Sequence, residues 1–235
     1  MADGIYVSMT GAAARAEQLE AVADNLANAQ TAGFKATRPA FEAFLPESGQ
    51  GQLGYTAAVH RGVDLRPGAT MVTGLPTDVL PDGGAFLAVA GADGATGYTR
   101  NGRLVADGSG RLSVLGRAVL GVDGQPIIVP EGSPWSVDGQ GTVLANGQEV
   151  GRLALFLLSG DVERRGDALY APGPGGQAMA VEARVRTGEI ELSNASPLEA
   201  AVQMISAQRH FDTSMQALQT YRQLDARAAE VGKAR

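Results

Sequence analysis

Apolar residues recur at helical spacing near the C-terminus of the chain, from Ser196 to about Gly232. Ser196, Pro197 and Glu199 form a capping box with proline at the first helical position, which predicts where the helix begins. A helix of about 36 residues is roughly 54 Å long, so we expect it to pack on a partner. Its apolar positions lie mostly three, four or seven residues apart: Leu198, Ala201, Val202, Met204, Ile205, Phe211, Met215, Leu218 and Leu224.

The N-terminal stretch, residues 3 to about 30, carries a strict seven-residue repeat. Such a repeat is typical of helices that wind side by side, and an ordinary amphipathic helix on a globular core is the alternative. The helix is expected to end before Gly33, because glycine tolerates the positive φ that follows many helices. The repeat consists of Ile5, Ala12, Leu19 and Leu26, with Met9, Ala16 and Ala23 offset by four residues.

Between these stretches the pattern changes to short runs of β-branched and other apolar residues. Many runs are separated by dipeptides that two-residue hairpin turns prefer, which predicts antiparallel strands. The fold class is therefore α+β, with long N- and C-terminal helices that form a helical, coiled-coil-like domain and an inserted antiparallel all-β domain. The predicted ranges are 1–36 and 193–235 for the helical domain, 37–75 for an extended connector and 76–192 for the β-rich domain. The turn dipeptides are Asp93-Gly94, Asn101-Gly102, Asp107-Gly108, Asp123-Gly124, Asp138-Gly139 and Asn146-Gly147.

Polar residues interrupt both helical patterns. Asn25 and Asn28 flank Leu26, and asparagine is a poor interior helix former. They indicate either a fraying helix end or side-chain hydrogen bonds to a neighbouring helix or to the turn at 31–33. On the C-terminal helix Gln208 and Arg222 lie seven residues on either side of Met215, where a polar group in a packed seam would fix the register.

Composition narrows the class of protein. The net charge of -6 argues against nucleic acid as a partner, because affinity for phosphates comes mainly from clustered Lys and Arg. The sequence has no cysteine, so a disulfide framework and a thiolate zinc site are excluded. We expect no conventional signal peptide and no membrane span, since the first residues lack a basic and then apolar pattern and no stretch approaches about 20 apolar residues.

Candidate chemical sites fail on spacing or context. Asp93, Asp107, Asp123 and Asp138 lie 14, 16 and 15 residues apart, not at the period of about nine of calcium-binding β-rolls, so hairpin turns are favoured. The glycines of 49–54 spell G-x-G-x-x-G but do not lead from a strand into a helix. Glu189 and Glu191 are expected on a solvated strand face. The sequence thus predicts no catalytic residue, metal site, cofactor or small-molecule substrate.

Three motifs resemble a known family, the axial proteins of the bacterial flagellum and specifically its basal-body rod proteins. Residues 23–35 are similar to the family signature A-N-N-L-A-N-x-x-T-x-G-F-K, with Asp24 in place of the first asparagine. The block Tyr98-Thr99-Arg100-Asn101-Gly102 and the glycine-containing runs up to Ile127 resemble the β core of the family. Glu191-Leu192-Ser193-Asn194, followed by residues 204–211, resembles its C-terminal motif.

The resemblance implies a structural subunit rather than an enzyme. Such proteins are exported unfolded by the flagellar type III apparatus without signal cleavage, and they stack helically with copies of themselves and other rod proteins to transmit torque across the periplasm. The start of the chain and its length most resemble proximal rod members, with a distal rod or hook-type protein as the alternative. A β-domain enzyme or a carbohydrate-binding module is the alternative of a different class.

The terminal helices are expected to carry the contacts between subunits. The residues predicted for this packing come from both helices and from the signature: Ile5, Met9, Ala12, Ala16, Leu19, Ala23, Asn25, Leu26, Asn28, Phe34, Met204, Ile205, Gln208, Phe211, Met215, Leu218 and Arg222.

Overall fold

The computed structural model describes residues 2–44, 56–91 and 94–233. In these residues the chain combines two helices with antiparallel strands, which confirms the α+β class. It divides into two compact units. The helical unit comprises Met1–Ala27, Thr37–Gly62 and Pro197–Arg235, and the β-rich unit comprises Asn28–Ala36 and Val63–Ser196. Residues 28–36 thus group with the strands, whereas the predicted ranges assign them to the helical domain.

The helical unit is built around helix α1, Ala2–Ala27, and helix α2, Pro197–Lys233, which contact each other. Helix α2 begins at the position that the capping box predicts. Strand β1, Thr37–Phe44, pairs with strand β2, Thr56–Val63, within the range predicted as an extended connector. Neither helix of the described chain has a segment apolar enough to cross a membrane.

The β-rich unit contains the remaining strands and one short 3-10 turn, Asp82–Gly84. The strands are β3 Thr70–Val72, β4 Val79–Pro81, β5 Phe86–Ala90, β6 Thr96–Thr99, β7 Val105–Ala106, β8 Leu112–Val114, β9 Arg117–Ala118, β10 Trp135–Val137, β11 Thr142–Ala145, β12 Gln148–Arg152, β13 Leu155–Ser159, β14 Val162–Gly166, β15 Leu169–Pro172, β16 Gln177–Ala180, β17 Val185–Thr187 and β18 Glu189–Glu191. The largest sheet has six strands in the order β14-β15-β6-β5-β13-β16, and its strand pairings are antiparallel.

Alternation along strand β5 places its residues in two different apolar clusters of this unit. Leu87 and Val89 belong to the main cluster, whereas Phe86 packs edge to face on Tyr170 in the second, with ring centroids 5.8 Å apart. Successive residues of a strand point to opposite faces, so one strand serves both clusters. The main cluster draws its fully buried residues from 79–185.

Most of the described aspartate-glycine and asparagine-glycine dipeptides lie in turns. The turn predicted at Asn101-Gly102 is wrong, because this dipeptide lies in irregular backbone where Gly102 packs directly on the Val79 carbonyl. Asn146 and Gly147 adopt φ of 49° and 77° between β11 and β12, as a two-residue hairpin turn requires. The carboxylates cap their own turns, since Asp138 Oδ1 accepts from the amides of Gln140 and Thr142 at 2.8 Å. Asp93 and the G-x-G-x-x-G run at 49–54 lie outside the described residues.

Candidate assembly surface and the anchor of the signature motif

Helix α2 presents apolar residues on two opposite faces. Its inner face contains the buried Ala200, Ala207 and Leu218. Its outer face carries Leu198, Val202 and Ile205, with exposed fractions of 77%, 60% and 56%. We call these three residues the outer stripe. Each residue turns a helix by about 100°, so Ile205 and Ala207 point roughly 160° apart. One helix face is thus covered within the chain, while the other leaves large apolar side chains in solvent.

The residues predicted for packing on α2 are distributed over both faces. Leu218 is buried, Met204, Phe211 and Met215 are half-buried, and Ile205, Gln208 and Arg222 are exposed. The spacing of Met204, Phe211, Met215 and Leu218 by seven, four and three residues places them on the inner face. Sequence spacing selected residues from both faces of the helix and did not separate the covered face from the outer stripe.

On helix α1 the predicted heptad does not coincide with the most buried positions. Ala12 is buried, Leu19, Ala23 and Leu26 are half-buried, and Met9 and Ala16 are exposed. The side chain of Ile5 lies outside the described residues. The most buried side chains are Ala14, Ala21 and Val22, one or two positions along the helix from the predicted set. Because alanine occurs on several faces of α1, hydrophobicity alone does not identify the covered face.

The two asparagines near the end of α1 make specific hydrogen bonds, so the interpretation as a fraying end is wrong. The Asn25 Nδ2 donates to the carbonyl of Thr37 at 2.8 Å, and the Thr37 amide donates to Asn25 Oδ1 at 2.8 Å. Asn25 therefore holds both backbone groups at the start of β1. Asn28 Oδ1 accepts from the Thr31 hydroxyl at 3.2 Å, which confirms the predicted bond to the turn.

The rest of the signature, residues 31–35, lies in the β-rich unit. Gly33 has φ of 69°, and a Cβ placed there would lie 2.2 Å from the carbonyl carbon of Arg100, so only glycine fits. Phe34 is 0% exposed and packs with Ala168 and Ala195, while the Arg164 guanidinium lies 5.6 Å from its ring. Phe34 was predicted for contacts between subunits, but its side chain is enclosed by its own chain.

The next residue, Lys35, joins a buried ionic cluster that we call the Glu191 cluster: Lys35, Arg100 and Glu191. Lys35 Nζ donates to Glu191 Oε1 at 2.5 Å, and Arg100 Nε donates to Glu191 Oε2 at 2.8 Å. The Gly68 amide also donates to Glu191 Oε1, at 2.9 Å. The three charged residues are 1%, 4% and 2% exposed, respectively. The solvated face predicted for Glu191 is therefore wrong.

Burial and charge act in opposite directions on this carboxylate. Burial alone would raise the pKa of Glu191, but the neighbouring charges of Arg100 and Lys35 and their hydrogen bonds bring it below its usual value. Burial lowers the pKa of Lys35 despite its bond to Glu191. Sequence analysis missed the pair because its members are 156 residues apart and neither lies in a charge-rich segment.

Further hydrogen bonds join residues 33–36 to residues 191–194. The Gly33 amide donates to the carbonyl of Glu191 at 2.8 Å, and the Ala36 amide donates to Asn194 Oδ1 at 2.6 Å. The Nδ2 of Asn194 in turn donates to the carbonyl of Asp64 at 2.8 Å. The N-terminal signature and the Glu191–Asn194 motif, which the sequence shows as separate matches, thus form one structural element.

Comparison with known families matches both ends of the chain. Residues 5–35 match a model described as flagella basal body rod protein. Residues 186–231 match a model described as the C-terminal region of the flagellar basal body rod proteins FlgE, FlgF and FlgG. The first match covers most of α1 and the anchored signature, and the second runs from β17 into α2.

Individual relatives align over nearly the whole chain. The flagellar basal-body rod protein FlgF of Salmonella typhimurium is 34% identical over 98% of both chains, and that of Escherichia coli is 35% identical over 93% of both. The rod protein FlgG of Bacillus subtilis is 26% identical over 94% of this chain and 95% of its own. Because relatives that are 34% and 35% identical cover more than nine-tenths of its length, the chain belongs to the family of flagellar basal-body rod proteins.

Proposed function

We propose that this chain is a structural subunit of the proximal rod in the flagellar basal body and that its outer stripe contacts neighbouring subunits. The observation that carries this proposal is the exposure of Leu198, Val202 and Ile205 opposite a face that is already covered. Large apolar residues in a contiguous exposed row are typical of a surface that binds another protein. The occupants are copies of this chain and other rod proteins, as the names of its relatives suggest.

Burial of the outer stripe is large enough to matter for assembly. Covering a Leu, Val or Ile side chain contributes about 1.5–3 kcal/mol, so three of them contribute on the order of 5 kcal/mol per subunit. Association costs of several kcal/mol offset this gain. A single subunit contact would therefore be weak, and stable packing requires several neighbours, as in a helical array.

The helical unit is proposed to act as a coiled-coil-like element of the rod. Ala200, Met204, Ala207 and Phe211 recur at intervals of four, three and four residues along the inner face, which is the spacing of a helix seam. A packed helix pair resists bending and twisting better than a loose connector, and this property suits a shaft that transmits torque. The predicted packing residues on α1 belong to the same proposal.

Assignment to the proximal rod is favoured by two of the relatives. The FlgF proteins of two species are 34% and 35% identical to this chain, compared with 26% for the FlgG protein. We also propose that the flagellar type III export apparatus delivers the chain unfolded. A chain without cysteine has no disulfide to oppose unfolding before export.

The test introduces a charge into the outer stripe by Ile205→Asp, in cells whose own copy of this protein is deleted. We expect loss of swimming in soft agar and absence of this subunit from purified basal bodies, because a carboxylate cannot be buried in an apolar contact without a partner. Ala217→Asp is the matched control, since it introduces the same residue at another exposed position of α2. Normal swimming of the Ile205→Asp strain would contradict the proposal.

A further inference from the structure

The Glu191 cluster has an imbalance of charge, since two buried cations share one buried carboxylate. Both oxygens of Glu191 are occupied, one by Lys35 Nζ and Gly68 N and the other by Arg100. Further donors of the cations go to backbone carbonyls, that of Arg66 for Lys35 at 2.7 Å and that of Pro81 for Arg100 at 2.9 Å. Glu191 is therefore the carboxylate that both cations share.

Other charged groups nearby do not replace Glu191. Asp64 acts on Lys35 by its charge, but its carboxylate pairs with the exposed Arg66 at 2.8 Å. Tyr170 accepts from the Lys35 amide at 2.6 Å, and burial raises the pKa of its hydroxyl, so it stays neutral at acidic pH. The remaining groups near the cluster are Arg164, which lies over the Phe34 ring, and the exposed pair of Asp82 and Arg186 at 2.9 Å.

We propose that Glu191 is the anion of an acid-sensitive latch that holds residues 31–36 in the β-rich unit, and that protonation of this carboxyl frees the segment before the unit unfolds. A neutral Glu191 leaves Lys35 and Arg100 as two buried cations that have lost the carboxylate they share, with only the charge of Asp64, which also pairs with Arg66, acting on Lys35. This arrangement is strongly unfavourable. Release of the segment returns Lys35 to water and removes the repulsion.

Local release is possible because the segment contributes little to the main core. The fully buried residues of the main cluster come from 79–185, whereas Phe34 belongs to a small separate cluster with Ala168 and Ala195. Besides the ion pair, the Phe34 and Ala36 carbonyls accept from the amides of Asn194 and Asp64. The segment also donates hydrogen bonds from the amides of Gly33, Lys35 and Ala36. These three amides report directly on the closed state of the latch.

The direction of the pH effect follows from the ion pairs. The pKa of Glu191 is lowered in the folded protein from its usual value of 4.5, mainly because the charge of Arg100 and the bond from Lys35 outweigh burial. The latch is therefore closed above about pH 4.5 and weakens as the pH falls through the folded pKa. The transition is expected between pH 4.5 and the pH at which the rest of the unit unfolds.

Hydrogen exchange of the full chain, measured by mass spectrometry from pH 7 to pH 3 and corrected for intrinsic rates, tests the proposal. We expect protection of residues 33–36 to fall roughly 100-fold while the amides of β5 stay protected. In Lys35→Met the segment no longer carries a cation, so its protection should become independent of pH. Asp107→Asn, which removes an exposed carboxylate, should retain the wild-type pH profile.

Glu191→Gln gives a second arm, since it mimics the protonated acid. We expect its segment to exchange at pH 7 as fast as that of the wild type at low pH. If this variant does not fold, the comparison of the wild type with Lys35→Met still decides the matter. Simultaneous loss of protection in the segment and in β5, an unchanged segment down to pH 3, or a wild-type pH profile in Lys35→Met would each overturn the proposal.

Discussion

The helical unit and the β-rich unit use apolar residues in different ways. In the β-rich unit Leu87, Val89 and Leu112 are buried in a core that closes within the chain. In the helical unit, the outer stripe of Leu198, Val202 and Ile205 stays exposed on a helix whose opposite face is covered. The β-rich unit also exposes single apolar residues such as Val72, Val122 and Ile128, so the difference lies in the main core of that unit and in the row that the outer stripe forms on one helix face. We propose that this row is retained for association.

The division into two units also changes the interpretation of the signature motif, whose last residues belong to the β-rich unit. Phe34 and Lys35 lie seven and eight residues after the end of α1, yet both belong to the β-rich unit and contact its residues. Their contribution is to the stability of the chain itself. Substitutions in the two units should therefore separate effects on folding from effects on assembly.

The largest loss of stability is expected for Phe34→Ala. Removal of a fully buried ring costs about 3–5 kcal/mol, because the lost contacts leave a cavity. Chemical denaturation of the purified chain measures this loss. Tyr221→Ala is the control, since Tyr221 is exposed on α2, and its effect should stay within about 0.5 kcal/mol. Equal effects of the two changes would mean that Phe34 does not act through folding.

A pair of leucines compares the two units directly. Leu87→Ala should destabilise the chain by about 2–5 kcal/mol, because Leu87 is completely buried in the main core. Leu198→Ala removes the same atoms from an exposed position and should change stability by less than about 0.5 kcal/mol. The amount of each variant in purified basal bodies, divided by the amount of folded variant in the cell, measures incorporation. By this measure only Leu198→Ala should impair incorporation. A reversed ranking of the denaturation midpoints would contradict the comparison.

Asn25→Ala should cost about 1–3 kcal/mol, because it leaves the amide and carbonyl of Thr37 without their side-chain partner. For a chain of this length the melting temperature should fall by roughly 2–4 °C per kcal/mol. Gln30→Ala serves as the control, since Gln30 is exposed five residues further along. An unchanged melting temperature for Asn25→Ala would show that water replaces the lost bonds.

The smallest effect concerns pH. Since the pKa of Glu191 is lowered from 4.5 by Arg100 and Lys35, its contribution to stability is present above pH 4.5 and is lost as the pH falls through the folded pKa. One such group changes the free energy of unfolding by at most about 1.4 kcal/mol per pH unit. Denaturation of the wild type and of Glu191→Gln at pH 3 to 7 measures this slope, which should be shallower in the variant. Parallel slopes would exclude Glu191 as the titrating group.

Local signals in the sequence determined the start of α2, a hairpin turn, the fold class and the family. The S-x-x-E box places the start of α2, and the Asn146-Gly147 dipeptide places a hairpin turn, because both depend on backbone groups within a few residues. The α+β class and the family follow from periodicity and from motifs that are contiguous in the chain. No distant contact is needed for any of these inferences.

Only the tertiary structure decided which side chains of the motifs are buried and which residues they contact. Lys35 and Glu191 are 156 residues apart, and their types and neighbours in sequence favour solvent exposure until folding makes each the counter-ion of the other. Likewise, the alanines of α1 occupy several faces, and only the packed helix pair identifies Ala14, Ala21 and Val22 as the covered ones. Local hydrogen bonding and periodicity can be read from neighbouring residues, whereas charge pairing and face selection depend on which distant surfaces folding brings together.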